Sequence, residues 1–546
     1  MLIPHLLIPR SWARHARQAL ALVPNPRMGR VPDAPAIPVR DPWPGDAVSG
    51  ARLLRGEVAH GGSLRSLVPG GWPGPSENAS FRAAAHSFTW LRDLRALGTD
   101  AARARARALV ADWMGTPGLD RIAARPDVAG ARITAWLGHY DFFAASADDA
   151  FRQRLMTRIV ADARLLAASL PSDEIDGRAL TSLKGLIAAA AALPLHAPYL
   201  TRVLRLLPQE VARQILPDGC HVERSPAIQL TVLQDATEIR ALLQAVQIAP
   251  PPALSAAIER MAPALRALRH GDGGLVLFNG SKEGGLQGAG ATLIELVLTQ
   301  AGRGGRAPAG LTEGGFHRLQ AGRTVLVVDC GPPPPPGLDR HAHAGTLSME
   351  LSIGRERLIV NCGGAPAGGT VAEDLAWQNA ARATAAHSTL VVADTNSSEL
   401  RPHGLGRRPG EVVVQRQEAN GAHWLEASHD GYLPSFGARH HRRLYVAESG
   451  EDIRGEDAVE APSPVEYAVR FHLHPLVVAT LQSDAETVML RLPGGGNWRF
   501  RAEGAQVQME ESIYLGTDTP QPCEQIVLTG YADGPQHVKW AITKLG

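Results

Sequence analysis

A chain of 546 residues is too long for a single hydrophobic core and calls for two to four domains, two large ones being preferred, and its 45% hydrophobic and 20% charged content is that of a folded globular protein. The formal charge of +1 gives no global basic field, so a nucleic acid or an anionic membrane would have to be met by a local patch, and neither is expected as a partner. Cys220, Cys330, Cys362 and Cys523 lie far apart with no CxxC spacing, which indicates neither a disulfide framework nor a thiolate zinc site.

The first residues, Met-Leu-Ile-Pro-His-Leu-Leu-Ile-Pro, have no basic stretch before the apolar start and are interrupted by Pro4 and Pro9. They make a poor secretion signal, and no apolar run reaches the roughly 18 residues of a membrane span, so a cytoplasmic protein is expected. The Pro- and Gly-rich residues 1–75 are expected to wrap a helical domain. From 80 to 270 apolar residues recur with helical spacing in segments 86–97, 101–114, 133–144, 151–170, 180–193, 199–215, 227–247 and 252–269. The arginines between 102 and 108 are expected on a solvated helix face. Serial helical hairpins without a fixed repeat predict an α/α toroid over residues 1–305. The glycine-rich stretch 302–310 reads as the seam.

Beyond it the period becomes two. Segments 324–330, 347–353, 358–362, 389–393, 411–417, 423–428, 442–448, 467–474, 487–492, 498–501 and 507–515 read as strands separated by turns such as Asn420-Gly421. So many strands without intervening helices predict an antiparallel β-sandwich over 306–546, giving an α+β multidomain chain. The five prolines 332–336 predict a stiff, extended path into the next motif.

That motif is His341-Ala-His343-Ala-Gly-Thr-Leu-Ser-Met-Glu-Leu. If it lies on a strand, the two imidazoles share a face. Asn361 and Cys362 follow on the next strand, and His387 stands in Ala-Ala-His-Ser-Thr. Two readings are open: a functional constellation, or separate structural histidines bonded to backbone carbonyls.

The ordered series Asp218-Gly-Cys-His-Val-Glu-Arg-Ser-Pro226, His341 to Leu351, Leu358-Ile-Val-Asn-Cys-Gly363, Arg382-Ala-Thr-Ala-Ala-His387, His429-Asp-Gly-Tyr432 and Arg470-Phe-His-Leu-His-Pro475 resembles the heparinase II/III-like polysaccharide lyases. The resemblance runs from about residue 80 to the C-terminus. It implies β-elimination at a uronic acid, an acidic polysaccharide or oligosaccharide as partner, and a periplasmic or cell-envelope location as the alternative to the cytoplasm. A homodimer is carried as a further expectation. His341 matches the family's sandwich-side catalytic histidine. His343, Asn361 and His387 match positions that hold a structural metal such as zinc in some members, with aspartate there in place of Asn361; no cofactor is required for the reaction.

The chain also departs from the family. The helical asparagine-histidine pair should fall near Asp176-Gly-Arg178-Ala-Leu180 and is missing, leaving Arg178 as a cation for a carboxylate. The catalytic tyrosine position after Ser-Pro is Ile228, the aspartate closing the paired-histidine motif is Gly345, and the exchange at Asn361 weighs against a metal. Arg224 is the retained cation, and Tyr432, or else Tyr140, is the candidate substitute base. His221, Tyr140, Trp136 and Trp377 are the expected substrate contacts, the tryptophans as stacking faces. A glycan-binding protein that kept the cleft and lost the chemistry is the alternative; a hydrolase using Asp176 and Glu223 ranks last.

Overall fold

In a computed structural model, residues 31–116, 120–193, 197–285, 290–302, 305–367 and 370–545 are described. The chain forms two compact units. One takes the described residues up to Ala212 with Gln234–Ala256 and part of Ala367–Val371; the other takes Arg213–Leu233, Ala257–Pro366 and Ala372–Gly546. This partition differs from a cut at 305 because residues 220–278 include side chains that belong to the sheet unit. Cys220, Ala264, Leu268, Val276 and Phe278 form one apolar cluster with Phe316, Val325 and Val327.

The first unit is helical, as expected for an α/α toroid. Its helices start where a side chain can satisfy an open N–H: Asp148 accepts from Phe151 ahead of Asp149–Ser169, and Thr99 accepts from Ala102 ahead of Asp100–Gly115. The single segment expected at 86–97 is two helices, Ala79–Ser87 and Leu91–Leu97, because Phe88 takes a left-handed φ of 59°. Residues 31–75, expected only to wrap, carry a helix at Ala47–Leu54 and a hairpin of Glu57–His60 with Ser63–Ser66. Arg103, Arg105 and Arg107 do not form a solvated face. They donate to the carbonyls of Phe142, of Leu53 and Leu67, and of Phe143.

Helices Pro126–Gly138 and Arg178–Ala192 touch backbone to backbone, since a Cβ on Gly185 would sit 2.2 Å from the Gly130 Cα. The second of these helices is buried almost throughout, and its Lys184 lies between Asp235 at 2.6 Å and Glu238 at 2.8 Å. Burial opposes the ammonium charge, yet the two carboxylates hold its pKa above the usual lysine range. Arg132 is likewise buried, paired to Asp162 at 2.7 Å with its guanidinium 4.4 Å from the Trp113 ring.

The second unit is the antiparallel sandwich. Its two longest strands, Asp452–Leu473 and Gln521–Lys544, pair along most of their length with a register shift between Ala461 and Val465. The edges extend through Thr487–Arg491 and Asn497–Glu503 on one side and through Arg439–Val446, Ala422–His429 and Val412–Ala419 on the other. Inward residues such as Leu425, Leu444, Phe471, Phe500 and Trp540 make the sandwich core. Strands Thr324–Asp329 and Met349–Ile353 are buried on both faces. Leu326 and Val328 face the sandwich core, whereas Val325 and Val327 face the cluster built on residues 264–278. Cross-strand pairing of Val327 with Glu350 turns that glutamate toward the second face, where it shapes the site described next.

Candidate functional site

His341 and His343 are not on a strand. The strand begins at Met349, and residues 341–348 form an irregular turn in which Leu347 has a φ of 61°. Without strand alternation the two imidazoles separate: His343 is buried and His341 is half-buried. The turn is held from outside by two side chains: Asn279, which lies in none of the motifs, and Arg382, which opens the Arg-Ala-Thr-Ala-Ala-His motif. Asn279 accepts the amide N–H of His343 at 3.0 Å and donates to the carbonyl of Arg224 at 2.8 Å. Arg382 donates to the Ala342 carbonyl at 3.0 Å, while its own carbonyl accepts the Ala344 N–H at 2.9 Å. Buried Asp339 fixes the entry, accepting from Leu405 N and from Arg408, and exposed Arg340 stands between it and His341.

The three expected metal positions do converge, as a hydrogen-bonded set. His387 Nδ1 lies 2.8 Å from the Ala383 carbonyl, which can only accept, so the proton of this neutral imidazole is on Nδ1. His343 Nδ1 must then donate to His387 Nε2, 3.1 Å away. Burial keeps both neutral, pushing His387 down to about 4 and His343 well below its ordinary value. The Asn361 carboxamide accepts from Ser388 N and donates to Glu350 Oε1, each at 2.9 Å. Two imidazoles engaged with each other and an amide engaged at both ends, with no anionic ligand, do not fit a divalent cation. Gly345, where the family pattern has aspartate, has no room for a side chain, because a Cβ there would lie 2.6 Å from His387 Cδ2.

Glu350 is the fully buried acceptor beneath this set. It takes the N–H groups of Leu277 and Asn361 at 3.0 Å and a His270 imidazole at 2.9 Å. The signal for it was a lone carboxylate in the otherwise uncharged Met-Glu-Leu-Ser-Ile. Asn279 had no such signal, since Leu-Phe-Asn-Gly reads as a turn.

The other expected site residues fare differently. Arg224, with φ 53°, donates to the Gly314 carbonyl at 2.6 Å and the Pro332 carbonyl at 2.7 Å and is paired with Asp329. Its guanidinium therefore clamps the loop to the sheet and the proline run instead of facing a substrate. His221 is fully buried; its Nδ1 accepts from Glu223 N and its Nε2 meets Gln214, so it organises the same loop. Tyr432 is also fully buried, donating to the Leu390 carbonyl at 2.9 Å, and burial raises its pKa above the tyrosine range. A base needs the opposite on both counts, so the substitute-base assignment is corrected.

In the helical unit, Trp136 packs fully buried against Phe88 and Trp113, and Tyr140 is 6% exposed. Neither offers a face to a sugar. Arg178, at the start of its helix, spans both oxygens of Asp176 in the preceding loop at 2.9 Å and leaves about a third of its side chain exposed. Beside it burial and Asp127 push Glu174 up to about 7. Trp377 is half-buried on the helix Val371–Arg382.

A toroidal helical unit followed by an antiparallel sandwich that carries a histidine cluster defines a polysaccharide-lyase fold. Residues 303–541 match the heparinase II/III-like C-terminal domain. The sequence is 30% identical over 533 residues to FtsZ-localized protein C of Caulobacter vibrioides, covering 92% of this chain and 89% of that protein. Heparinase III is similar in structure with a TM-score of 0.74 at 14% identity, covering 98% of this chain and 89% of that one. Heparan sulfate lyase HepC from Pedobacter heparinus gives 0.58 at 16% identity, with 98% and 87% covered. The chain belongs to the heparinase II/III-like family. The named lyases of that fold are carbon–oxygen lyases acting on polysaccharide, whereas the Caulobacter relative is named for its localisation. Among the described residues no helix is long and apolar enough to cross a membrane.

Proposed function

We propose that the chain is a polysaccharide lyase that cleaves a uronate-bearing glycan by β-elimination, with His341 moving the proton. The observation that carries this reading is the contrast within the histidine cluster: His343 and His387 are buried and bonded to each other, while His341 is half-buried at the edge of the turn they support. A neutral imidazole there takes the proton from the carbon next to the carboxylate, the electron pair forms the C4–C5 double bond, and the C4–oxygen bond breaks. The same imidazole, now protonated, returns its proton to the departing oxygen, which removes the need for a tyrosine where the chain has Ile228. Exposed Arg340, next to His341, supplies the charge that neutralises the uronate carboxylate and acidifies the adjacent C–H. No metal enters this scheme. Following ultraviolet absorbance of the unsaturated uronate over a panel of acidic polysaccharides tests it, with His341→Ala and Arg340→Ala as the variants.

A second reading is favoured by the burial of Tyr140 and Tyr432, which leaves neither as a substitute for the tyrosine replaced by Ile228. In it the cleft binds an acidic glycan without turnover. A relative named for localisation to FtsZ is in keeping with a role that requires binding alone. Binding of a uronate oligosaccharide with no absorbance change selects this reading.

A further inference from the structure

A cavity of about 1050 Å³ lies on the outer face of the sandwich and shares no residue with the histidine cluster. Its floor is six adjacent strands, and the pairing register lays two parallel rows of side chains across them. One row runs Gln417, Trp424, Tyr445, Arg454, Ala541, Arg501; the other runs Gln415, Glu426, Arg443, Glu456, Lys539, Glu503. At the usual strand spacing six strands span about 24 Å, enough for a short oligosaccharide.

The first row carries an aromatic platform. Trp424 is 41% exposed on an otherwise regularly alternating strand, with the Tyr445 ring 5.2 Å away at 47°. The second row alternates in sign, and Arg443 is held between Glu426 and Glu456 at 3.0 Å each. Over the whole lining, Arg443, Arg454, Arg501 and Lys539 are matched in number by Glu426, Glu456, Glu486 and Glu503. A groove with no net charge does not select a polyanion. Planar guanidinium, carboxylate and amide groups beside an exposed indole suit a hydroxyl-rich, uncharged ring that stacks on its apolar side and hydrogen-bonds at its rim.

We propose that this groove is a second glycan-binding site, which takes an uncharged oligosaccharide with one sugar ring over Trp424 and Tyr445. It would hold a glycan independently of the histidine cluster, so it stands whether or not the lyase reading does.

The test is calorimetric titration of the full chain with cellohexaose, chitohexaose and an acidic heparosan hexasaccharide, for the unaltered protein and for Trp424→Ala, Tyr445→Ala and His341→Ala. The proposal expects at least one neutral hexaose to bind, an affinity loss of about tenfold or more in Trp424→Ala, and no change in His341→Ala. Tyr445→Ala, expected to weaken binding in the same sense, stands in if the first variant fails to fold. Three outcomes overturn it: no binding of either neutral hexaose, binding that both groove variants leave intact, or binding confined to the acidic hexasaccharide. A concentration-dependent dimer that Trp424→Ala abolishes would give the face to a second copy of the chain and would equally overturn it.

Discussion

His343 Nδ1 donates to His387 Nε2 across 3.1 Å, so a proton stands between the two imidazoles that the family pattern assigns to a metal. Stability should therefore not depend on a divalent cation: a chelator is expected to leave Tm unchanged. Restoring the missing carboxylate should do harm, because Asn361 donates to Glu350 at 2.9 Å and Asn361→Asp would set two carboxylates there. A loss of about 3 kcal/mol in urea unfolding is expected for that variant. A Tm drop on adding chelator to the unaltered protein would show that a metal is bound after all.

Acid should weaken the fold before it reaches the carboxylate range. His387 and His86 are lowered from 6.5 to about 4 and His472 to about 3, chiefly by burial, while in the unfolded chain they protonate at ordinary values. Groups with depressed folded pKa contribute stability that is complete above pH 6.5 and is lost as pH falls through 6.5 toward 4. Asp93, raised to about 6, and Glu174, raised to about 7, work in the other direction, losing stability as pH rises through those values, but the buried histidines outnumber them. Thermal unfolding at pH 5 should give a lower Tm than at pH 7.5; an equal or higher value would contradict the neutral buried cluster.

Tyr432→Phe separates a structural hydroxyl from a catalytic one. The hydroxyl donates to the Leu390 carbonyl, so its removal should cost about 1 kcal/mol of stability and leave turnover within about twofold. A large fall in rate at unchanged KM would return Tyr432 to the catalytic machinery.

Gly185→Ala reverses the usual helix rule. In an exposed helix the change would gain about 1 kcal/mol. Here the added methyl meets the Gly130 Cα, and the helices must part, so a loss of about 1–3 kcal/mol is expected by chemical denaturation.

The fold was legible where burial alternates cleanly, as in Asn497–Glu503, and where apolar spacing is helical over several turns, as in Asp149–Ser169. Several strands escaped, among them the hairpin of Glu57–His60 with Ser63–Ser66, Val478–Leu481, Phe316–Ala321 and Gln521–Lys544. Phe316–Ala321 is short, and Gln521–Lys544 carries Gly530, Gly534 and Pro535, which read as turns but sit within the paired ribbon, Gly534 and Pro535 opposite Ala461 and Glu460 beside the register shift. In the site, the motifs located the histidines but not their frame. Asn279 is 64 residues from His343, and the hydrogen bond between them depends on tertiary folding alone. Tyr432 was misread because His-Asp-Gly looks like an exposed turn, while its ring lies in the sandwich core. Arg224 kept its family position yet spends its charge on Asp329, a pairing no local pattern announces.

The most direct test of the central claim is the ultraviolet absorbance of unsaturated uronate formed from acidic polysaccharides by the unaltered protein and by His341→Ala. The account predicts a rising signal on at least one polymer that falls by about 10³-fold or more in the variant while its folded spectrum is retained. A flat trace from folded, unaltered protein on every polymer, or a rate that survives His341→Ala, would contradict it.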